Sequence, residues 1–167
     1  MKYSFIILSV LLFACNGKQD KAIQDIKHLE ANKSLRNSDT LINSYINFVK
    51  NFPEHKLAAD FLFKAAQASV KSNRIINGAK LYERIALEYP SDTLAPEALL
   101  RAGLNFDASS DPANAKRLYE LFLKNYPKHP RYNDVKLYHE NVGLSADELI
   151  RRFNERLLAN GDSTLAK

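Results

Sequence analysis

Leu81-Tyr82-Glu83-Arg84-Ile85-Ala86-Leu87-Glu88-Tyr89-Pro90 decides the fold, because its pattern occurs three times along the chain. A proline follows an aromatic at Phe52-Pro53, Tyr89-Pro90 and Tyr126-Pro127, with a spacing of 37 residues each time. A tyrosine stands eight residues before each proline, at Tyr45, Tyr82 and Tyr119. Repetition at such a period marks units that cannot bury their apolar faces alone and therefore stack. Between the anchors, apolar residues recur at helical spacing. The proline ends each helix, since it lacks an N–H and restricts the residue before it.

Working outward, the pattern predicts a helix pair over roughly 57–71 and 75–89. Ala58, Phe61, Leu62, Ala65, Ala66 and Ser69 form the buried face of its first helix. The next pair repeats this face as Ala95, Ala98, Leu99, Ala102, Gly103 and Phe106. Asp111-Pro112 starts its second helix, with a capping carboxylate and a proline where no N–H is needed. Upstream, Ser38 or Asp39 caps a helix carrying Leu41, Ile42, Tyr45, Ile46, Val49 and Phe52. Ala22, Ile23, Ile26 and Leu29 line a marginal first helix. Downstream, Val135, Leu137 and Tyr138 begin a degenerate repeat in which Lys136 and His139 stand where apolar or small residues stood before. Ser145 and Glu148 form a capping box ahead of Leu149, Ile150, Phe153 and Leu157, so a terminal helix is expected to cap the exposed end of the stack.

This pattern resembles the tetratricopeptide repeat over roughly residues 39–142. That family pairs antiparallel helices with small residues at their crossing and a proline after the second helix. The matching positions are Leu62, Ala66, Gly78, Tyr82 and Pro90 in one repeat, and Leu99, Gly103, Ala115, Tyr119 and Pro127 in the next. The period is longer than the family's usual 34, and Ile85 and Phe122 stand where it places an alanine. The resemblance is greatest to repeat lipoproteins of the bacterial envelope, including that of the outer-membrane β-barrel assembly machinery and periplasmic proteins linked to envelope constriction. It implies an all-α, right-handed solenoid of antiparallel helix pairs with a C-terminal capping helix. In the family, exposed residues of each first helix contact the ligand. Carried onto this register they are Asp60, Phe63, Gln67 and Val70, then Glu97, Leu100, Leu104 and Asp107. Phe63, Leu100 and Leu104 are apolar at these positions and suit a peptide or helix partner. The alternative is that they pack against the adjacent repeat.

The N-terminus has a different composition. Phe5 to Phe13 is an apolar run, too short to span a bilayer as a helix but of the length of a signal-peptide core. Leu12-Phe13-Ala14-Cys15 resembles a bacterial lipobox, and Cys15 is the only cysteine. The resemblance implies removal of residues 1–14 and acylation of Cys15, with several acyl chains giving stable anchoring. The alternatives are an ordinary secretory signal with an incidental cysteine, or a core cysteine. Residues 15–21 read as the lipidated residue and a flexible tether, 22–142 as repeats, 143–160 as the capping helix and 161–167 as a frayed tail. By the sorting of the lipoproteins that this stretch resembles in some Gram-negative bacteria, the absence of aspartate after Cys15 implies the outer membrane, facing the periplasm. A lone cysteine also excludes an internal disulfide.

The net charge of +5 raises nucleic acid as a partner, but the positives are scattered in pairs such as Lys116-Arg117 and Arg151-Arg152. With an export signal in front, nucleic acid is excluded as a partner. His28, His55, His129 and His139 lack metal-ligand spacing, and His55 and His129 read as solvated turn residues. No phosphate loop or hydrolase motif occurs, so neither catalysis nor a cofactor is expected. Asp39-Thr40-Leu41, Asp92-Thr93-Leu94 and Asp162-Ser163-Thr164 resemble an envelope O-glycosylation acceptor, or serve in the first two cases as helix caps. The expected function is a non-enzymatic, lipid-anchored scaffold binding another envelope protein or peptide, with the oligomeric state left open. One candidate role is an accessory of outer-membrane protein assembly. The alternative is a periplasmic peptide- or glycan-binding regulatory module.

Overall fold

The computed structural model describes residues 4–159, with side chains described over 17–158. Eight α-helices follow one another: α1 Ser4–Ala31, α2 Asp39–Asn51, α3 Ala58–Lys71, α4 Ile75–Glu88, α5 Ala95–Ala108, α6 Pro112–Asn125, α7 Tyr132–Asn141 and α8 Ala146–Ala159. A 3-10 turn, Lys33–Leu35, joins α1 to α2. Among the described residues there is no strand, and no helix is long and apolar enough to cross a membrane. Each helix from α1 to α6 packs on the next, as in a solenoid of stacked pairs, and α8 makes no comparable contact with α7. The first helices of the pairs are α1, α3, α5 and α7; the second helices are α2, α4 and α6.

The inter-repeat turns are built alike. His55, Asp92 and His129 are repeat-equivalent, and each accepts the backbone N–H two residues on, from Leu57 at 3.1 Å, Leu94 at 2.8 Å and Arg131 at 3.1 Å. The imidazoles also meet Phe48 and Phe122 edge-on, with ring centroids 5.1 and 5.2 Å apart. These histidines therefore close the turn and pack in it, where solvation was expected. Asp92 does the same work in its turn, whereas the α5 N-cap is Leu94 and has no side-chain cap, so Asp92 closes the turn where a helix cap was expected. At α2 the N-cap is Ser38, accepting from Leu41, while Asp39 is the first helical residue and pairs with Arg74. Asp111 caps α6 as predicted, accepting from Asn114 at 3.1 Å.

The crossings inside each pair are tight. A Cβ on Gly78 would lie 2.9 Å from the Ala66 carbonyl oxygen and 2.5 Å from Val70 Cγ2. A Cβ on Gly103 would lie 2.5 Å from the Tyr119 ring. Tyr82 and Tyr119 are buried beside these crossings and fill the space between layers. The buried faces predicted for α3 and α5 are all buried.

Two further expectations differ from the structure. Residues 16–21, read as a flexible tether, lie within α1. The stretch is polar but contains no proline, and lysine and glutamine are good helix formers, so polarity alone does not stop the helix. The second difference concerns the cap. The Ser145–Glu148 box forms, with Glu148 accepting from the Ser145 N–H at 2.8 Å, and α8 follows it. Its apolar stripe, however, stays open: Ile150 is 60% and Phe153 59% exposed. The reason lies in the repeat register. The small crossing positions of earlier pairs are taken here by Glu140 and Arg152, and the buried tyrosine position by Arg156. Such side chains prevent close approach of α7 and α8. Arg152 instead donates to the Glu140 carbonyl oxygen at 2.8 Å, and Arg156 pairs with the Glu140 carboxylate at 3.0 Å. The third glycosylation-like motif, Asp162-Ser163-Thr164, and the tail 161–167 lie outside the described residues.

Gly78→Ala and Gly103→Ala should each lower stability by about 1–3 kcal/mol through overpacking. Gly17→Ala, with nothing within 4 Å of the added Cβ, should leave it unchanged or slightly raise it. Thermal unfolding followed by circular dichroism checks this ordering.

Candidate functional site

The first helices carry a ladder of ion pairs on their open face. On α3, Asp60 and Lys64 stand four residues apart and pair at 3.2 Å. Lys64 also reaches Glu30 of α1 at 3.1 Å, and Tyr45 of α2 donates to the same Glu30 oxygen at 2.8 Å. On α5, Glu97 and Arg101 repeat the Asp60 and Lys64 positions 37 residues on and pair at 2.6 Å. The Arg101 guanidinium lies 5.4 Å from the Phe63 ring centroid and 6.0 Å from that of Tyr82. Phe63 meets Tyr82 edge-on at 5.1 Å. One cation thus bridges two repeats, through a carboxylate on its own helix and an aromatic face on the previous pair.

These charges are fixed. Burial alone would lower the Lys64 ammonium, but hydrogen bonds from it to Glu30 and Asp60 outweigh that and hold its pKa above the ordinary lysine value. Burial, reinforced by the Glu30 carboxylate, pushes the Tyr45 hydroxyl well above the ordinary tyrosine range, so it stays a neutral donor. All four ladder side chains on α3 and α5 remain between 39% and 44% exposed. Exposed pairs of this kind contribute about 1 kcal/mol at most. They can be exchanged for a partner's charges at little cost. Beside the ladder, Glu30, Tyr45, Lys64 and Gln67 line an open cleft of about 460 Å³, with Arg36 and Lys71 at its mouth.

The residues singled out from the sequence divide into three groups. Asp60 and Glu97 are on the face, in the ladder, and Gln67 is in the cleft. Phe63, Val70 and Leu104 are partly buried and packed against the core, and Asp107 is half-buried. Leu100 is not in a groove at all: it is 2% exposed. The correction follows from its repeat equivalents. Ile26, Phe63, Leu100 and Leu137 share one position, and at Phe63 it faces Arg101 of the following pair. Ile26 and Leu100 are covered there, while Leu137, with no tightly packed helix beyond it, is 46% exposed. Lys64, Arg101 and Glu30 were missed. The signal was present, since an acid followed by a base four residues later recurs at 60/64 and 97/101. Among the described residues, no group of three or more potential ligands is placed to hold a metal ion.

The family model for the tetratricopeptide repeat matches residues 97–129. This stretch is similar to one such repeat. It runs from Glu97 of the ladder through the Gly103–Tyr119 crossing to His129 in the turn. No curated protein matches the chain. The match agrees with the pairing of α5 and α6.

Leu100→Ala should cost about 2–5 kcal/mol, as a core truncation. Leu137→Ala, at the equivalent but open position, should stay within about 0.5 kcal/mol. Urea titration of both variants checks the difference.

Proposed function

We propose that the protein is a non-enzymatic scaffold, anchored by lipid at Cys15 in the cell envelope, that holds a partner protein on the face of its first helices. The observation that carries this reading is the repeated ladder of Asp60–Lys64 and Glu97–Arg101, exposed on successive first helices around the Phe63 ring. A partner segment running across α1, α3 and α5 meets alternating charges at a regular spacing. It can take over their pairing and exclude water from Phe63 and Gln67. Such a surface selects by charge pattern and adds its contacts across repeats. The tetratricopeptide match supports the scaffold part. The lipobox-like Leu12-Phe13-Ala14-Cys15 supports the anchor. Within the envelope, the proposed role is an accessory of outer-membrane protein assembly.

The test is cross-linking in cells that express the full chain, followed by identification of captured proteins. Lys64→Glu with Arg101→Glu should abolish capture of the partner and leave the far-ultraviolet circular dichroism unchanged. Lys124→Glu, on the second-helix face, should leave capture intact. Equal capture by all three chains would remove the ladder from partner binding. Labelled palmitate should enter the wild type and not Cys15→Ser, which should also leave the membrane fraction; an unlabelled wild type removes the anchor.

A further inference from the structure

The end of the stack at α7 and α8 is built differently from the rest. Leu137 of α7 and Leu149, Ile150 and Phe153 of α8 open onto a shared cleft of about 380 Å³, with Asn141 and the arginines at its edge. Leu137 occupies the position at which Ile26 and Leu100 are buried, and at which Phe63 meets Arg101 of the following pair. The cleft is therefore a layer junction with its second half missing. Arg152 and Arg156 are tied to Glu140 and hold α8 alongside α7 in this open arrangement.

The charge along α8 identifies what completes it. The first turn is acidic, with Asp147 and Glu148, and the later turns are net basic, with Arg151, Arg152 and Arg156 against the one acid Glu155, which pairs with Arg151 at 2.8 Å. A second α8 lying antiparallel brings each acidic first turn towards the other's basic half. A parallel one brings acid to acid and base to base. Antiparallel helix dipoles also attract. A two-fold arrangement closes at two chains without leaving a further open face.

We propose that α7 and α8 form a self-association surface, in which α8 of a second copy of this chain lies antiparallel in the cleft between them. The four helices then make a small bundle around Leu137, Ile150 and Phe153 of both copies. The face of the first helices in α3 and α5 remains free on each copy, so the paired protein presents two ladders.

Sedimentation equilibrium of the full chain tests this. The expected result is a reversible association to a mass of two chains. Ile150→Glu with Phe153→Glu should weaken it at least a hundredfold, with the thermal unfolding of the repeats unchanged. Asp147→Lys should weaken it about tenfold, because it places base against base in the antiparallel pair. A wild type that sediments as a single chain overturns the proposal. So does an association that survives the Ile150 and Phe153 changes, since another surface is then responsible. An Asp147→Lys variant that associates as tightly as the wild type overturns the antiparallel arrangement.

Discussion

The close approach of paired helices at Gly78 and Gly103 is the constraint on which the rest of the structure depends. With no Cβ at these positions, Gly78 of α4 settles against the Ala66 carbonyl of α3, and Gly103 of α5 settles against the Tyr119 ring of α6. That approach brings Tyr82 and Tyr119 into the layer, and these large rings then fill the space the small residues create. The proline and the capping residue at 55, 92 or 129 only have to return the chain for the next pair. Each repeat is thus specified by two small residues, one tyrosine and one turn.

The fourth pair shows what happens when that constraint is lifted. Glu140, Arg152 and Arg156 take the positions of small residue, small residue and tyrosine. The helices still form, because the Ser145–Glu148 box and the amphipathic stripe are local features. They are joined by a polar clasp and expose the stripe they would otherwise bury. Helix formation and helix packing are therefore separate properties here. The first is set by neighbours three and four residues away, and the second by a crossing residue on another element.

The same separation explains what could be read from the sequence. The period of 37, the helix ends at Phe52, Tyr89 and Tyr126, and the buried faces of α3 and α5 were legible because they repeat. Leu100 was misplaced because a periodic pattern says which residues are equivalent, but not whether a given position faces a groove or a neighbouring layer. Its equivalent Ile26 offered little help, since α1 was read as marginal. The tether over 16–21 was misread because polarity argues against burial and says nothing against a helix. On the candidate face, the apolar residues Phe63 and Leu104 stand out in the sequence, whereas acid–base pairs four residues apart usually mark a solvated surface. The Lys64–Glu30 contact joins residues 34 positions apart on different helices, and only the folded chain brings them together.

A ladder of exposed pairs adds little to the stability of the stack, yet it recurs at equivalent positions on α3 and α5. Packing does not require it there: Phe63 and Tyr82 already meet edge-on beneath Arg101. What the pairs do supply is position. Asp60 and Glu97 each fix a long cation against its own helix, so Lys64 and Arg101 lose less rotamer freedom when a partner arrives than free side chains would. An ion pair that is weak within the fold thereby preorganises the surface on which another chain can dock. The repeat architecture sets the spacing between successive cations, because the same crossing that orders the core also orders the ladder.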